Sequence, residues 1–226
     1  MSLPRLKTSV ALGLGVLMLA GCGSARPGVA IEIDDKTVSL AQVSENAEAL
    51  CTGLAPLNEA AGVREPRSNA NSTAASLATQ GLMAQMLFDE FGLVPSPEFT
   101  QSVATLRQQA AEQGVAAEYA DAVVDILTAQ YRLQDAKLQL GAAALEGQDP
   151  ASITQEQAFE LGSAFVSEWA QDKGIEIDPR FGIEFVEGTF AVAATRTSTS
   201  VSELALVAED PERSADLPSN LLCGSE

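Results

Sequence analysis

The sequence predicts a mainly α-helical domain with a small β element formed by the two ends of that domain. Apolar residues recur at helical spacing through most of the stretch from residue 40 to residue 173. The flanking segments 29–38 and 175–186 instead carry short alternating apolar runs, which are typical of strands. We therefore expect a multi-helix domain over residues 29–186 whose terminal strands lie side by side.

The first elements follow from local signals. Residues 29–33 alternate weakly, Asp34-Asp35 has turn chemistry, and residues 36–38 are β-prone, which predicts a small hairpin or one strand and a turn. Ser39 is a candidate N-cap for a helix over 40–51, where Leu40, Val43, Ala47 and Leu50 recur at helical spacing.

The next stretch is expected to be a short helix, a loop and a long helix. The short helix covers residues 54–63 and the loop covers 64–69. Asn71 or Ser72 is expected to cap the long helix, which runs to about Phe91 and stops at Gly92, a natural residue after a helix end.

Three further helices are predicted over 97–113, 118–141 and 155–173. Ser96-Pro97 begins the first of them with proline at its first position. Thr154 and Gln157 have the spacing of a capping box at the start of the last. Beyond it, residues 175–178 alternate like a strand, and further extended pieces are expected around Glu187-Gly188.

Apolar stripes on these helices predict the core. One stripe carries Leu82, Met83, Met86, Leu87 and Phe91, and its two methionines favour packing over an adaptable binding surface. Phe165 and Trp169 favour contact with helix 118–141 over lining a cleft. The predicted core includes Leu82, Leu87, Val123, Leu127, Phe165 and Trp169.

The chain begins with features of an export signal. Arg5 and Lys7 precede a short apolar run that is too short to span a bilayer as a mature helix. The run ends in Leu19-Ala20-Gly21-Cys22, which resembles a bacterial lipobox. That resemblance implies a signal peptide over 1–21, diacylation of the Cys22 thiol, and attachment to the extracytoplasmic face of the cell membrane. The alternative is an ordinary cleaved signal followed by a chance cysteine.

Residues 22–28 would form a short tether, in which the polar and flexible stretch Gly23-Ser24-Ala25-Arg26-Pro27-Gly28 reaches roughly 15 Å as a random coil. After Cys22, the remaining cysteines are Cys51 and Cys223. Two thiols in an exported protein most simply form a disulfide, which here would tie the irregular tail 187–226 to the first helix. Unpaired thiols or intermolecular pairing are the alternatives.

Charge and composition exclude several functions. Removal of residues 1–21 takes away two basic residues and leaves 11 against 31 acidic ones, a net charge of −20. Such a chain is poorly suited to nucleic acid, which requires clusters of Lys and Arg. The sequence contains no histidine, which removes the commonest general base and metal ligand. We expect no enzyme activity, no catalytic residues, no cofactor and no metal.

The order of elements resembles the N-terminal domain of SurA-type periplasmic chaperones over about residues 29–185. Thr37-Val38-Ser39 leads into the first helix as in that family, with Asp34-Asp35 in place of its Asn-Gly turn. Residues 92–96 are similar to the link between the family's central helices. Residues 175–182 resemble the closing strand of related actinobacterial lipoproteins, with Asp178 and Phe181 as substitutions in their Asn-Pro-Arg-Tyr-Gly motif.

The resemblance implies that the chain binds unfolded or partly folded exported polypeptides. It does not imply prolyl isomerase activity, since only residues 146–153 occupy the place of a parvulin domain and the histidines of that domain are missing. A second hypothesis is a structural or interaction subunit of a cell-envelope complex with one dedicated partner protein.

Overall fold

The structure is a computed structural model that describes residues 26–145, 154–186, 188–192 and 217–224. It confirms a mainly helical fold with small antiparallel sheets. Over the described residues, the elements in chain order are β1 (Val29–Ile33), β2 (Lys36–Ser39), α1 (Leu40–Gly53), α2 (Ala55–Ala60), α3 (Arg67–Phe91), α4 (Pro97–Gln113), α5 (Ala120–Ala144), α6 (Gln155–Lys173), β3 (Ile175–Ile177), β4 (Ile183–Val186) and β5 (Thr189–Val192).

A three-stranded antiparallel sheet joins the two ends of the domain, in the order β2-β1-β3. Ile31 lies opposite Ile177, and Ile33 lies opposite Ile175. Both β1 isoleucines are fully buried, so the sheet closes one side of the core. This pairing confirms the prediction that the N-terminal strand lies beside residues 175–186.

The second sheet is a hairpin of β4 and β5, in which Phe185 lies opposite Phe190 and their rings meet edge to face. The predicted end of the domain at residue 186 falls within this hairpin, so paired structure continues to Val192.

Local capping sets most helix boundaries where they were predicted. The Ser39 hydroxyl accepts a hydrogen bond from the Gln42 backbone at the start of α1. The Ser96 hydroxyl accepts from the Phe99 backbone at the start of α4. Thr154 and Gln157 form the predicted capping box of α6. Gly92 ends α3 with a φ of 63°, a left-handed conformation that glycine adopts without strain.

The start of α3 corrects two predictions. Residues 67–69 are helical rather than part of a loop, and Asn71 and Ser72 lie inside the helix instead of capping it. The helix begins earlier because the preceding chain is fixed from outside: Pro66 bridges to Leu222 of the tail, and the Cys223 amide donates to the Glu65 carbonyl. The Ser72 hydroxyl instead donates to the Phe181 carbonyl at 2.6 Å and lies 3.1 Å from the Ser68 carbonyl.

Helices α5 and α6 are antiparallel and in unusually close contact through two glycines. A Cβ atom added at Gly141 would overlap the Ala158 carbonyl, and one added at Gly162 would overlap the Lys137 carbonyl. The backbones of the two helices therefore touch directly at this crossing.

Most of the predicted core is confirmed. Leu87, Val123, Trp169 and Met83 are buried, while Leu82, Leu127 and Met86 are partly buried against the same cluster. Phe165 is a correction, because 40% of it is exposed. The contact at Gly162 sets which face of α6 is buried. Phe165 lies at the border of that face, whose buried residues are Ala158, Gly162, Val166, Trp169 and Ala170.

The tail segment 217–224 is held against the first half of the domain. A disulfide joins Cys51 at the end of α1 to Cys223, with the two Cα atoms 4.9 Å apart, which is the pairing the sequence favoured. Leu217 and Leu222 are buried together as a small second cluster.

Several predictions concern residues outside the described ranges. These are the signal peptide 1–21, the lipobox residues Leu19, Ala20, Gly21 and Cys22, the first part of the tether 22–28, and the connection 146–153. None of the helices in the described ranges combines the length and the apolarity needed to cross a bilayer.

Candidate functional site

Four exposed apolar side chains form the strongest candidate for a binding surface, which we call the apolar patch. It consists of Phe91 at the end of α3, Val94 in the following linker, and Leu161 and Phe165 on α6. Their exposed fractions are 38%, 71%, 43% and 40%, respectively. Large apolar side chains grouped on a surface are a common mark of a binding site.

Phe91 and Phe165 hold the patch together. Their ring centroids are 5.3 Å apart and the rings meet edge to face. This geometry is favourable for aromatic pairs and brings the end of α3 onto the flank of α6. Leu161 lies one turn before Phe165 on the same flank. The two helices thus present aromatic and aliphatic surface side by side.

The linker between α3 and α4 adds Val94 and is fixed to α5. Leu93 packs against the core, so its neighbour Val94 faces outward. The Gln139 side-chain amide donates to the Val94 carbonyl at 2.9 Å. One turn earlier on α5, the buried carboxylate of Asp135 accepts a hydrogen bond from the Ser96 amide at 3.0 Å. These bonds make the linker a preformed part of the surface.

A polar cluster beside the patch ties together α3, α6 and the β1–β2 turn. The Trp169 indole donates to Glu90 Oε2, and Lys173 Nζ lies 3.2 Å from Glu90 and 3.8 Å from Asp34. The indole hydrogen bond, with help from Lys173, holds the pKa of the Glu90 carboxyl below its usual value. Glu90 is therefore ionised at neutral pH and paired.

The opposite border of the buried stripe of α6 presents a different exposed aromatic. Phe159 is 38% exposed, and the Lys137 ammonium lies 5.5 Å from its ring centroid. Burial lowers the pKa of the Lys137 ammonium. Because Phe159 lies beside a cation and on the other border of α6 from Phe165, we do not include it in the apolar patch.

Other grooves lie on the described surface, and two of them border the three-stranded sheet. One, of about 400 Å³, runs between β2, α1, α3 and α5 over Leu77, Leu82 and Ile126. The other, of about 340 Å³, follows β1 and β3 toward Phe185. Neither contains an exposed aromatic pair like that of the apolar patch. Within the described ranges, no group of three or more metal-ligating side chains is close enough to hold an ion.

The predicted site residues and the apolar patch are separate. Cys51 and Cys223 are joined but belong to the tail attachment, and Cys22 with its lipobox lies outside the described residues. Sequence reasoning assigned Phe91 and Phe165 to core stripes and so missed the patch. The available signal was Gly162, since a glycine inside a helix often marks the line of closest contact with a neighbour.

Helices α3 and α6 and the linker after α3 thus present an apolar surface, which hydrogen bonds from α5 help to fix and beside which Glu90 and Lys173 are paired. Such a surface provides contact area and shape for binding. The resemblance to SurA-type chaperones remains an interpretation of element order. Comparison of the chain with protein-family models, curated proteins and solved structures gives no match.

Proposed function

We propose that this protein is an extracytoplasmic lipoprotein that binds apolar segments of unfolded or partly folded exported polypeptides, as a chaperone-like holdase without isomerase activity. The observation that carries the proposal is the exposed edge-to-face pair of Phe91 and Phe165. Aromatic side chains supply a large contact area at low entropic cost, and they bind varied apolar segments.

Charge supports this role. A net charge of −20 on the chain after residue 21 keeps a protein with exposed apolar groups soluble and discourages self-association. It also repels anionic lipid headgroups, so membrane attachment would depend on acyl chains at Cys22. Two such chains give stable anchoring, and the short tether 22–28 would hold the domain near the membrane surface.

The test is suppression of aggregation. Residues 23–226, which include every described residue, are produced in an oxidising compartment and added to a chemically unfolded protein that aggregates on dilution. An equally acidic inert protein is the control. We expect suppression near stoichiometric ratios that survives moderate salt, since apolar contacts are not screened. Suppression by both proteins alike, or by neither, would contradict the proposal.

A second candidate function is a dedicated subunit of a cell-envelope complex with one partner. The linker hydrogen bonds from Gln139 and Asp135 favour it, because a preformed surface suits a single partner. Crosslinking from position 94 in intact cells separates the two functions. Many crosslinked proteins support the holdase, whereas one stoichiometric product supports the dedicated subunit.

A further inference from the structure

Acidic side chains continue the apolar patch along α6. Leu161, Phe165, Glu168 and Asp172 follow one another at spacings of four, three and four residues, which place them on one face of the helix. Both carboxylates are exposed. An extended ligand that lies along this face would meet an apolar surface first and negative charge next.

The basic side chain at the end of α6 is already paired. Lys173 is the single basic residue of α6, and its ammonium lies between the carboxylates of Glu90 and Asp34. It also lies 5.9 Å from the Trp169 ring centroid. Glu168 and Asp172 therefore face solvent without a cation from α6 to neutralise them.

We infer that the apolar patch selects polypeptide segments in which an apolar anchor is followed by Lys or Arg. This inference rests on the proposed function and specifies its substrate class. The apolar anchor would cover Phe91 and Phe165, and the basic side chain would lie between Glu168 and Asp172. Opposite charges at the rim of an interface govern partner choice more than total affinity.

Helix geometry sets the number of residues expected between the apolar anchor and the basic residue of the preferred segment. Seven residues separate Phe165 from Asp172 on α6, a rise of about 10 Å at 1.5 Å per residue. An extended chain advances about 3.3 Å per residue, so the basic residue should follow the anchor by about three positions. A basic residue directly beside the anchor would reach the carboxylates less well.

The experiment compares labelled peptides that share one apolar core and differ only at the position three residues beyond it, which carries Lys, Ser or Glu. Binding to residues 23–226 is measured by fluorescence anisotropy at low and moderate salt. We expect the Lys peptide to bind about two- to fivefold more tightly than the Ser peptide, and the Glu peptide to bind more weakly than either. Added salt should reduce these differences and leave the binding of the Ser peptide nearly unchanged.

A pair of double variants tests the location of the selectivity. Glu168→Gln with Asp172→Asn should remove the preference for Lys while the Ser peptide still binds. Glu156→Gln with Glu160→Gln changes net charge equally on another side of α6 and should leave the preference intact.

The outcomes separate the inference from the proposed function. Equal binding of all three peptides, or loss of the preference in both double variants, would overturn the inference and leave the holdase proposal standing. Binding of none of them, with the protein folded by circular dichroism, would overturn both.

Discussion

The indole Nε1 of Trp169 donates a hydrogen bond to Oε2 of Glu90 at 3.1 Å, and this bond connects the end of α3 to α6 directly beside the apolar patch. The carboxylate also accepts Lys173, whose ammonium lies 3.2 Å away. Because Phe91 follows Glu90 in the chain, the same bond helps to fix the position of the Phe91 ring against Phe165. The stability of this corner, which we define as Glu90, Trp169 and Lys173, is therefore coupled to the shape of the apolar patch.

The first prediction concerns the pH dependence of this corner. The pKa of Glu90 is lower in the folded chain than in the unfolded chain, so its stabilising contribution is present above the unfolded value of 4.5 and is lost as pH falls through the folded value. Glu90→Gln should lower the urea midpoint at pH 7 and approach the wild-type midpoint as pH falls to about 3. Asp89→Asn, at an exposed neighbour, is the control and should change the midpoint little at either pH.

A constant difference between Glu90→Gln and wild type across this pH range would contradict the prediction. It would mean that ionisation of the Glu90 carboxyl contributes nothing to the difference in stability.

The second prediction concerns the glycines at the α5–α6 crossing. Alanine has the higher helix propensity by about 1 kcal/mol, so a surface Gly→Ala change in a helix is usually stabilising. At Gly162 the added Cβ would overlap the Lys137 carbonyl, and the helices would have to separate. We expect Gly162→Ala to cost about 1–3 kcal/mol of unfolding free energy, measured by urea denaturation.

Gly81→Ala is the matched control, since its Cβ would meet only the Ala129 Cβ at 3.3 Å, a contact that a small shift relieves. Equal unfolding free energies of Gly162→Ala and Gly81→Ala would contradict a direct backbone contact at this crossing.

The third prediction concerns the tail. The disulfide between Cys51 and Cys223 closes a loop with a sequence separation of 172 residues, for which chain entropy sets an upper figure of about 5 kcal/mol. The double substitution Cys51→Ala and Cys223→Ala should lower the free energy of unfolding by about 2–4 kcal/mol. It should also expose the tail around residue 217 to proteolysis. Reductant should lower the melting temperature of the wild type and leave the double variant unchanged. A wild-type melting temperature that does not change when reductant is added would contradict a stabilising role of the disulfide.

The fourth prediction concerns the linker. Asp135 is buried and accepts a hydrogen bond from the Ser96 amide. Asp135→Ala leaves that amide without its partner and should lower the free energy of unfolding by about 1–3 kcal/mol. It should also speed hydrogen exchange at the Ser96 amide. Gln139→Ala removes an exposed hydrogen bond to the Val94 carbonyl and should have a smaller effect. Equal exchange rates at Ser96 in the wild type and Asp135→Ala would contradict the prediction.

Sequence reasoning succeeded where the deciding contacts are local. Ser39, Ser96 and Thr154 cap helices as expected because a side chain and an amide two or three residues away decide the boundary. The pairing of β1 with residues 175–177 could be predicted because both ends of the domain show alternating apolar residues.

Sequence reasoning failed where contacts with distant parts of the chain decide the local structure. Phe165 looked like a core residue, but the rotation of α6 is set by the contact of Gly162 with the Lys137 carbonyl, which no periodicity in α6 reveals. Residues 67–69 looked like a loop because the support from Leu222 and Cys223 comes from the far end of the chain. The apolar patch was missed for the first of these reasons.

The most direct test of the central claim is aggregation suppression by two matched variants of residues 23–226. Phe165→Gln removes an aromatic ring from the apolar patch, and Phe159→Gln removes an equally exposed ring from the other border of α6. Both should keep the wild-type circular dichroism spectrum. We predict that Phe165→Gln loses most of the suppression while Phe159→Gln retains it. Full suppression by Phe165→Gln, or equal loss in both variants, would contradict binding at the apolar patch.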